Sequence, residues 1–188
     1  MLPQYLLRSG AMPGEHVFVD ESKRGAYVVA AVVIAAGDVG ATRAAVKRAA
    51  TELPGTRRRV HFQTESDAVR RKFLAQVIDL PVTARIYTAR ERTERASRQM
   101  ILTRLVGDLV AMGASSLVLE RDESLMVHDE RVIKAERARL RAVDVLRYDL
   151  KEPSDPMLWL PDAIAWAWCR DRVWRCLVAG LVTEETKL

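Results

Sequence analysis

Asp20 ends the strand-like segment His16-Val17-Phe18-Val19-Asp20, and Glu21 and Ser22 follow it. Along a strand, alternation places Asp20 on the face of Phe18 and His16, with Glu21 on the other face toward solvent or the turn. Leu117-Val118-Leu119 is followed by Glu120 and Asp122. Residues two apart in a strand share a face at roughly 7 Å between Cα atoms, a separation suited to carboxylates that share or bracket a divalent cation. Asp162 directly follows Pro161 at a helix start and is set among Leu158-Trp159-Leu160 and Ala163-Ile164-Ala165-Trp166-Ala167, so it is either surface-facing or held at a site. Each acid also has a plain structural explanation. Asp and Ser favour turns, solvated strand ends carry acids, and a helix N-terminus stabilises a carboxylate by about 0.3–1 kcal/mol. His61, just after Arg57-Arg58-Arg59, is either a surface histidine or a substrate contact and proton-transfer aid. His16 and His128 have no partner at metal-ligand spacing, and no Gly-rich phosphate loop, zinc motif or Gly-x-Ser-x-Gly elbow is present.

The elements that must position these residues follow from periodicity. After a lead-in over residues 1–14, His16 to Asp20 and Ala26 to Ala36 form an antiparallel hairpin with a Gly-containing loop. Gly40 to Leu53 is a helix. Ser66 caps another, with Val69, Phe73, Leu74, Val77 and Ile78 on one face and Pro81 closing it. Val82 to Ala89 is a strand, Glu94 to Met112 a long helix stopped by Gly113, and Ser115 to Glu120 a strand. A basic helix from His128 to Val143 precedes a short strand, Val145 to Leu150. The last helix has Pro161 in its first turn, runs to about Leu181, and carries Trp159, Trp166, Trp168 and Trp174 in or just before it as core residues. A hairpin followed by alternating helices and strands predicts an α/β fold, with a mixed sheet and helices on both faces.

At 188 residues and 49% hydrophobic, the chain fits one domain spanning 1–188. Its 29% charged residues, 9 Gly and 7 Pro exclude a low-complexity chain. The apolar run from Tyr27 to Gly37 is about half the roughly 20 residues of a spanning helix, and the first residues lack a basic start followed by a long apolar stretch. A cytoplasmic protein without membrane contact is expected. Cys169 and Cys176, two helical turns apart, are expected to be buried free thiols. The net charge of +5 is carried mostly by Arg, at Arg57-Arg58-Arg59, Arg70-Arg71, Arg90 to Arg98 and Arg137 to Arg141. Such a balance favours a phosphate-rich partner such as nucleic acid; Arg-biased coding with ordinary solvated helix faces gives the same composition.

Val17-Phe18-Val19-Asp20-Glu21-Ser22, Leu117-Val118-Leu119-Glu120-Arg121-Asp122 and Leu158-Trp159-Leu160-Pro161-Asp162-Ala163 together resemble, in order and over nearly the whole chain, the domain of unknown function 3800 family, regarded as ribonuclease H-like. The resemblance implies an acidic cluster from the first strand, a central strand and the start of the last helix that binds divalent metal for phosphodiester cleavage; on these residues the leading expectation is a nuclease in which Asp20, Glu120, Asp122 and Asp162 hold two Mg²⁺ or Mn²⁺ ions, with His61, Arg58 and Arg59 toward the substrate. The chain departs from the family pattern at Lys23, where Gly is usual, at Glu120, where Asp is more common, at Pro161, where a small residue is common, and beside His61, where the family tends to carry an acid. These departures leave two rivals to a nuclease. One is a catalytically degenerate ribonuclease H-like protein that binds nucleic acid or another protein. The other is an enzyme of phosphorylated small molecules.

Overall fold

A strand with apolar side chains on both faces is stable only where helices cover both sides. In the computed structural model, which describes residues 14–23, 26–55 and 59–188, β2 (Tyr27–Ala35) is such a strand, buried along its length apart from Ala35. It pairs antiparallel with β1 (Glu15–Ser22), setting Asp20 opposite Ala30, and antiparallel on its other side with β3 (Thr83–Ala89). Parallel to β1 lies β4 (Ser116–Glu120), and parallel to β4 lies β5 (Arg147–Lys151). The order of the six-stranded sheet is β5-β4-β1-β2-β3-β6, with β6 (Val182–Lys187) parallel to β3.

Two apolar cores flank the sheet. On one face Phe18, Val28, Ala30, Val32 and Val118 pack with α1 (Val39–Thr51), α2 (Asp67–Val77), α5 (Trp159–Arg170) and α6 (Arg172–Val178). On the other, Val17, Val19, Val29, Leu117 and Leu119 pack with α3 (Glu94–Ala111) and α4 (Met126–Arg139). The mixed sheet with a starting hairpin and helices on both faces is the expected architecture. Ser66 caps α2 by accepting from the Val69 N–H, as its position predicts.

Three expectations are corrected. The last helix is not continuous to Leu181. Asp171 takes an extended conformation and its carboxylate accepts from Val173 N and Trp174 N, capping a new helix in place of the old one. After α6 the chain makes a single 3₁₀ turn and then forms β6, an edge strand of alternating exposure that carries too few apolar residues to announce itself. The basic helix stops at Arg139 rather than Val143. Arg141 lies at φ 54°, and Arg141 N donates to Ala138 O while Ala142 N donates to Arg137 O, a Schellman ending built without glycine. Finally, both cysteines are free, but Cys169 is only partly buried and Cys176 is exposed. Trp159, Trp166 and Trp174 are core residues. Among the described residues no helix is long and apolar enough to cross a membrane.

The same ending closes α3 with Gly113 at φ 79°, where an added Cβ would meet nothing within 4 Å. Gly113→Ala therefore tests the backbone alone. It is expected to destabilise by about 1 kcal/mol, and Arg141→Gly to stabilise by a comparable amount. Thermal unfolding should register opposite shifts of about 2–4 °C.

Candidate functional site

Phe18 and Val118 belong to the core under α5, so strand alternation directs Asp20 and Glu120 to that same side. These acids directly follow Val19 and Leu119, the last residues paired between β1 and β4. Asp162 meets them from the first turn of α5. A cavity of about 320 Å³ results, lined by Asp20, Glu120, Asp162, His61, Arg59 and Glu21, with Trp166 in its wall. A larger cavity of about 670 Å³ lies along α3 around Met100, and four of its charged residues are paired with one another, Arg104 with Asp108 and Arg139 with Glu136.

The three acids are held differently. Asp162 is buried, accepts from Phe62 N at 2.9 Å and has His61 Nδ1 3.3 Å away. Glu120 accepts from Arg59 Nη2, which is 3.2 Å from both of its oxygens. Asp20 accepts one hydrogen bond, 2.8 Å from the N–H of its neighbour Glu21, and has no cationic partner among the described residues. Burial first, then the charges of Glu21, Asp162 and Glu120, push the Asp20 carboxyl well above its ordinary range, and the Glu21 N–H offsets this only in part. Glu120 is also raised, chiefly by burial, with Arg59 pulling it back down.

Buried arginines secure the frame. Arg70 donates to Phe62 O and Gln63 O, pairs with Asp67, and stacks 4.0 Å over the Trp166 ring. It thereby fixes the loop that presents His61 and the Phe62 N–H, while the Phe62 ring packs edge-on against Phe73 and Trp166. On the opposite side of the sheet, Glu21 does not face solvent. Arg98, 5% exposed, donates to both Asp129 oxygens, to Glu21 at 2.7 Å and to the Tyr27 hydroxyl oxygen at 2.7 Å. Charge positions within apolar stripes are the sequence signal for these residues. Arg98 precedes Ile101, Leu102 and Leu105 on α3, Arg70 precedes Phe73 and Leu74 on α2, and Asp129 precedes Val132 and Ile133 on α4.

Asp122 is not brought to this cavity. The strand ends at Glu120, so alternation no longer governs the residues beyond it, and Asp122 instead accepts from Ser124 N at 2.9 Å and from the Ser124 hydroxyl at 2.6 Å. Those bonds, above all, hold its carboxyl below the usual range. Arg58 lies outside the described residues. The Lys23 ammonium reaches Glu94 at 3.4 Å across the hairpin end.

The donor chemistry fits a hard divalent cation: the three acids supply oxygen ligands, and Asp20 has no countercharge among the described residues. As placed, no group of three or more His, Cys, Asp or Glu side chains among the described residues is gathered closely enough to hold a metal. The fit therefore lies in charge and ligand type, with Arg59 standing where a cation would neutralise Glu120.

No family model matches the chain, and no curated protein does. Among solved structures, the fold is similar to RNase HII from Archaeoglobus fulgidus, determined in its complex with PCNA, with a TM-score of 0.51 and 11% identity. The similarity covers 86% of this chain and 76% of that one. The chain thus has a ribonuclease H-like α/β fold. At that identity the likeness carries the fold and assigns no site residue.

An acid whose folded-state pKa exceeds its unfolded value binds its proton more tightly when folded. Its effect on stability is most favourable below the unfolded value and is lost as pH rises through the raised one. Asp20→Asn is accordingly expected to stabilise the metal-free protein at pH 7 and to flatten the decline in stability between the ordinary carboxylate range and neutrality, measured by thermal melts with chelator across pH. Asp129→Asn should act oppositely, destabilising by about 3–5 kcal/mol in urea unfolding because Arg98 loses its buried partner.

Proposed function

We propose that this protein is a divalent-metal-dependent nuclease that hydrolyses phosphodiester bonds of DNA or RNA, in keeping with its resemblance to the domain of unknown function 3800 family. The observation that carries the reading is the arrival of Asp20, Glu120 and Asp162, from two adjacent parallel strands and a helix start, at one cavity where Asp20 has no cationic partner among the described residues.

In this reading Asp20, Glu120 and Asp162 hold two Mg²⁺ or Mn²⁺ ions, and Asp122, engaged with Ser124, stands apart from the ligand set. When bound, such ions supply a nucleophilic water and charge stabilisation for in-line displacement at phosphorus. The chain's own residues do the rest. Phe62 N–H fixes the Asp162 carboxylate in one orientation. His61, 38% exposed at its side chain, lies beside Asp162 and can hold a proton at the cavity's edge. Arg59, partly exposed on the loop above the acids, provides a fork suited to phosphate oxygens, and the adjoining Arg58 belongs to the same basic segment. Trp166 and the sheet exclude water from the floor.

The Arg59–Glu120 pair also favours a second reading, a degenerate ribonuclease H-like protein that binds nucleic acid without cutting it, because one acid of the cluster already has an internal cation. Purified protein with Mg²⁺ or Mn²⁺ should be assayed against single- and double-stranded DNA, RNA and hybrids. Cleavage that falls about a hundredfold or more in Asp20→Asn, the effect of removing several kcal/mol of charge stabilisation, is the expected result. Binding without cleavage in either metal would establish the second reading instead.

A further inference from the structure

Resting on the metal-site reading, a further role follows for Arg59. Its Nη2 lies 3.2 Å from Oε1 and 3.2 Å from Oε2 of Glu120, so a single nitrogen straddles both carboxylate oxygens. The other acids of the cavity are engaged without it: Asp162 by Phe62 N–H and His61, and Asp20 by the Glu21 N–H. The Arg59 side chain is 35% exposed and that of Glu120 is 25% exposed, so the pair sits at the solvent-facing side of the cluster rather than locked beneath it. The buried arginines contrast with this. Arg70 and Arg98 are 8% and 5% exposed at the side chain, and each is held by several acceptors, whereas Arg59 has Glu120 as its acceptor.

We propose that Arg59 is an exchangeable internal counter-ion: it neutralises Glu120 in the metal-free protein, is displaced when a divalent cation takes a Glu120 oxygen, and is thereby released to bind a phosphate of the incoming nucleic acid. A cation at Glu120 needs an oxygen that Arg59 now covers, and two positive groups cannot share that oxygen without repulsion. Metal binding and the Arg59–Glu120 pair are therefore linked in opposition, and by reciprocity whatever draws Arg59 away from Glu120 favours the metal. A phosphate does this directly, since the guanidinium fork matches phosphate oxygens as well as carboxylate oxygens. Metal and substrate then help each other in, without movement of the sheet or of α5.

The test measures Mn²⁺ affinity of the full chain by electron paramagnetic resonance, without nucleic acid, for the wild type, Arg59→Gln, Arg59→Lys and Asp20→Asn. Arg59→Gln is expected to bind Mn²⁺ roughly two- to fivefold more tightly, the range a part-exposed ion pair supports, with Arg59→Lys nearer the wild type because the charge is kept. Binding that depends on Asp20 but is unchanged or weaker in Arg59→Gln overturns the counter-ion assignment and leaves the metal site standing. Absence of Asp20-dependent binding in wild type and Arg59→Gln alike overturns the metal reading and this proposal together. The second arm follows a fluorescent RNA by anisotropy in Ca²⁺ and in chelator. Arg59→Gln should weaken binding in Ca²⁺, with the slope of log affinity against log salt reduced by about one, and should weaken it distinctly less in chelator, where phosphate must compete with Glu120 for the guanidinium. Equal effects in both conditions, or no binding in Ca²⁺, would overturn the transfer of Arg59 to phosphate.

Discussion

Period-two alternation along a strand covered on both faces is the constraint from which the rest follows. β1 sends Phe18 to the core under α5 and Val17 and Val19 to the core under α3. The next two residues continue the pattern with charge, Asp20 toward the cavity and Glu21 toward Arg98. A shift of one residue in the pairing with β2 would exchange these faces and bring Glu21 to the acids and Asp20 to the arginine. The register of eight paired residues between β1 and β2 thus sets not only the core but which carboxylate joins the acids of the cavity and which joins Arg98.

The two faces meet opposite fates because their countercharges differ. Glu21 enters a closed network in which Arg98 also holds Asp129 and Tyr27, joining β1, β2, α3 and α4. Asp20 faces two other acids across a cavity, and burial together with those neighbours pushes its carboxyl well above the ordinary range. Buried polar groups that are fully paired tighten a fold, while those left without a partner cost it stability.

Much of this was legible in the residues. The hairpin, the capped α2, the stripe of α3 and the stop at Gly113 follow from spacing, since each is a local pattern with a local cause. Asp20, Glu120 and Asp162 could be singled out as acids at the edges of apolar segments, although only the sheet register brings them to one cavity. Asp122 fails because strand periodicity was extended past the strand's end, where a short-range bond to Ser124 takes over. The break at Asp171 has a similar origin, a side chain competing with the helix for backbone N–H groups. β6 was illegible for the opposite reason: its place depends on β3, nearly a hundred residues earlier, and not on any pattern of its own.

The stacking of Arg70 on Trp166 gives the cavity an optical property. Of the four tryptophans, Trp166 lines the cavity, and its ring is held between Arg70 at 4.0 Å and Arg170 at 5.2 Å. An indole face so placed responds to changes in the field around it, because its quadrupole interacts with nearby charge. Trp174 packs edge-on against the Trp166 ring with centroids 5.1 Å apart, so the two indoles sit in one cluster behind the cavity wall. The molecule therefore carries an indole of its own in the wall beside the carboxylates, a built-in reporter of the charge around it that needs no attached label.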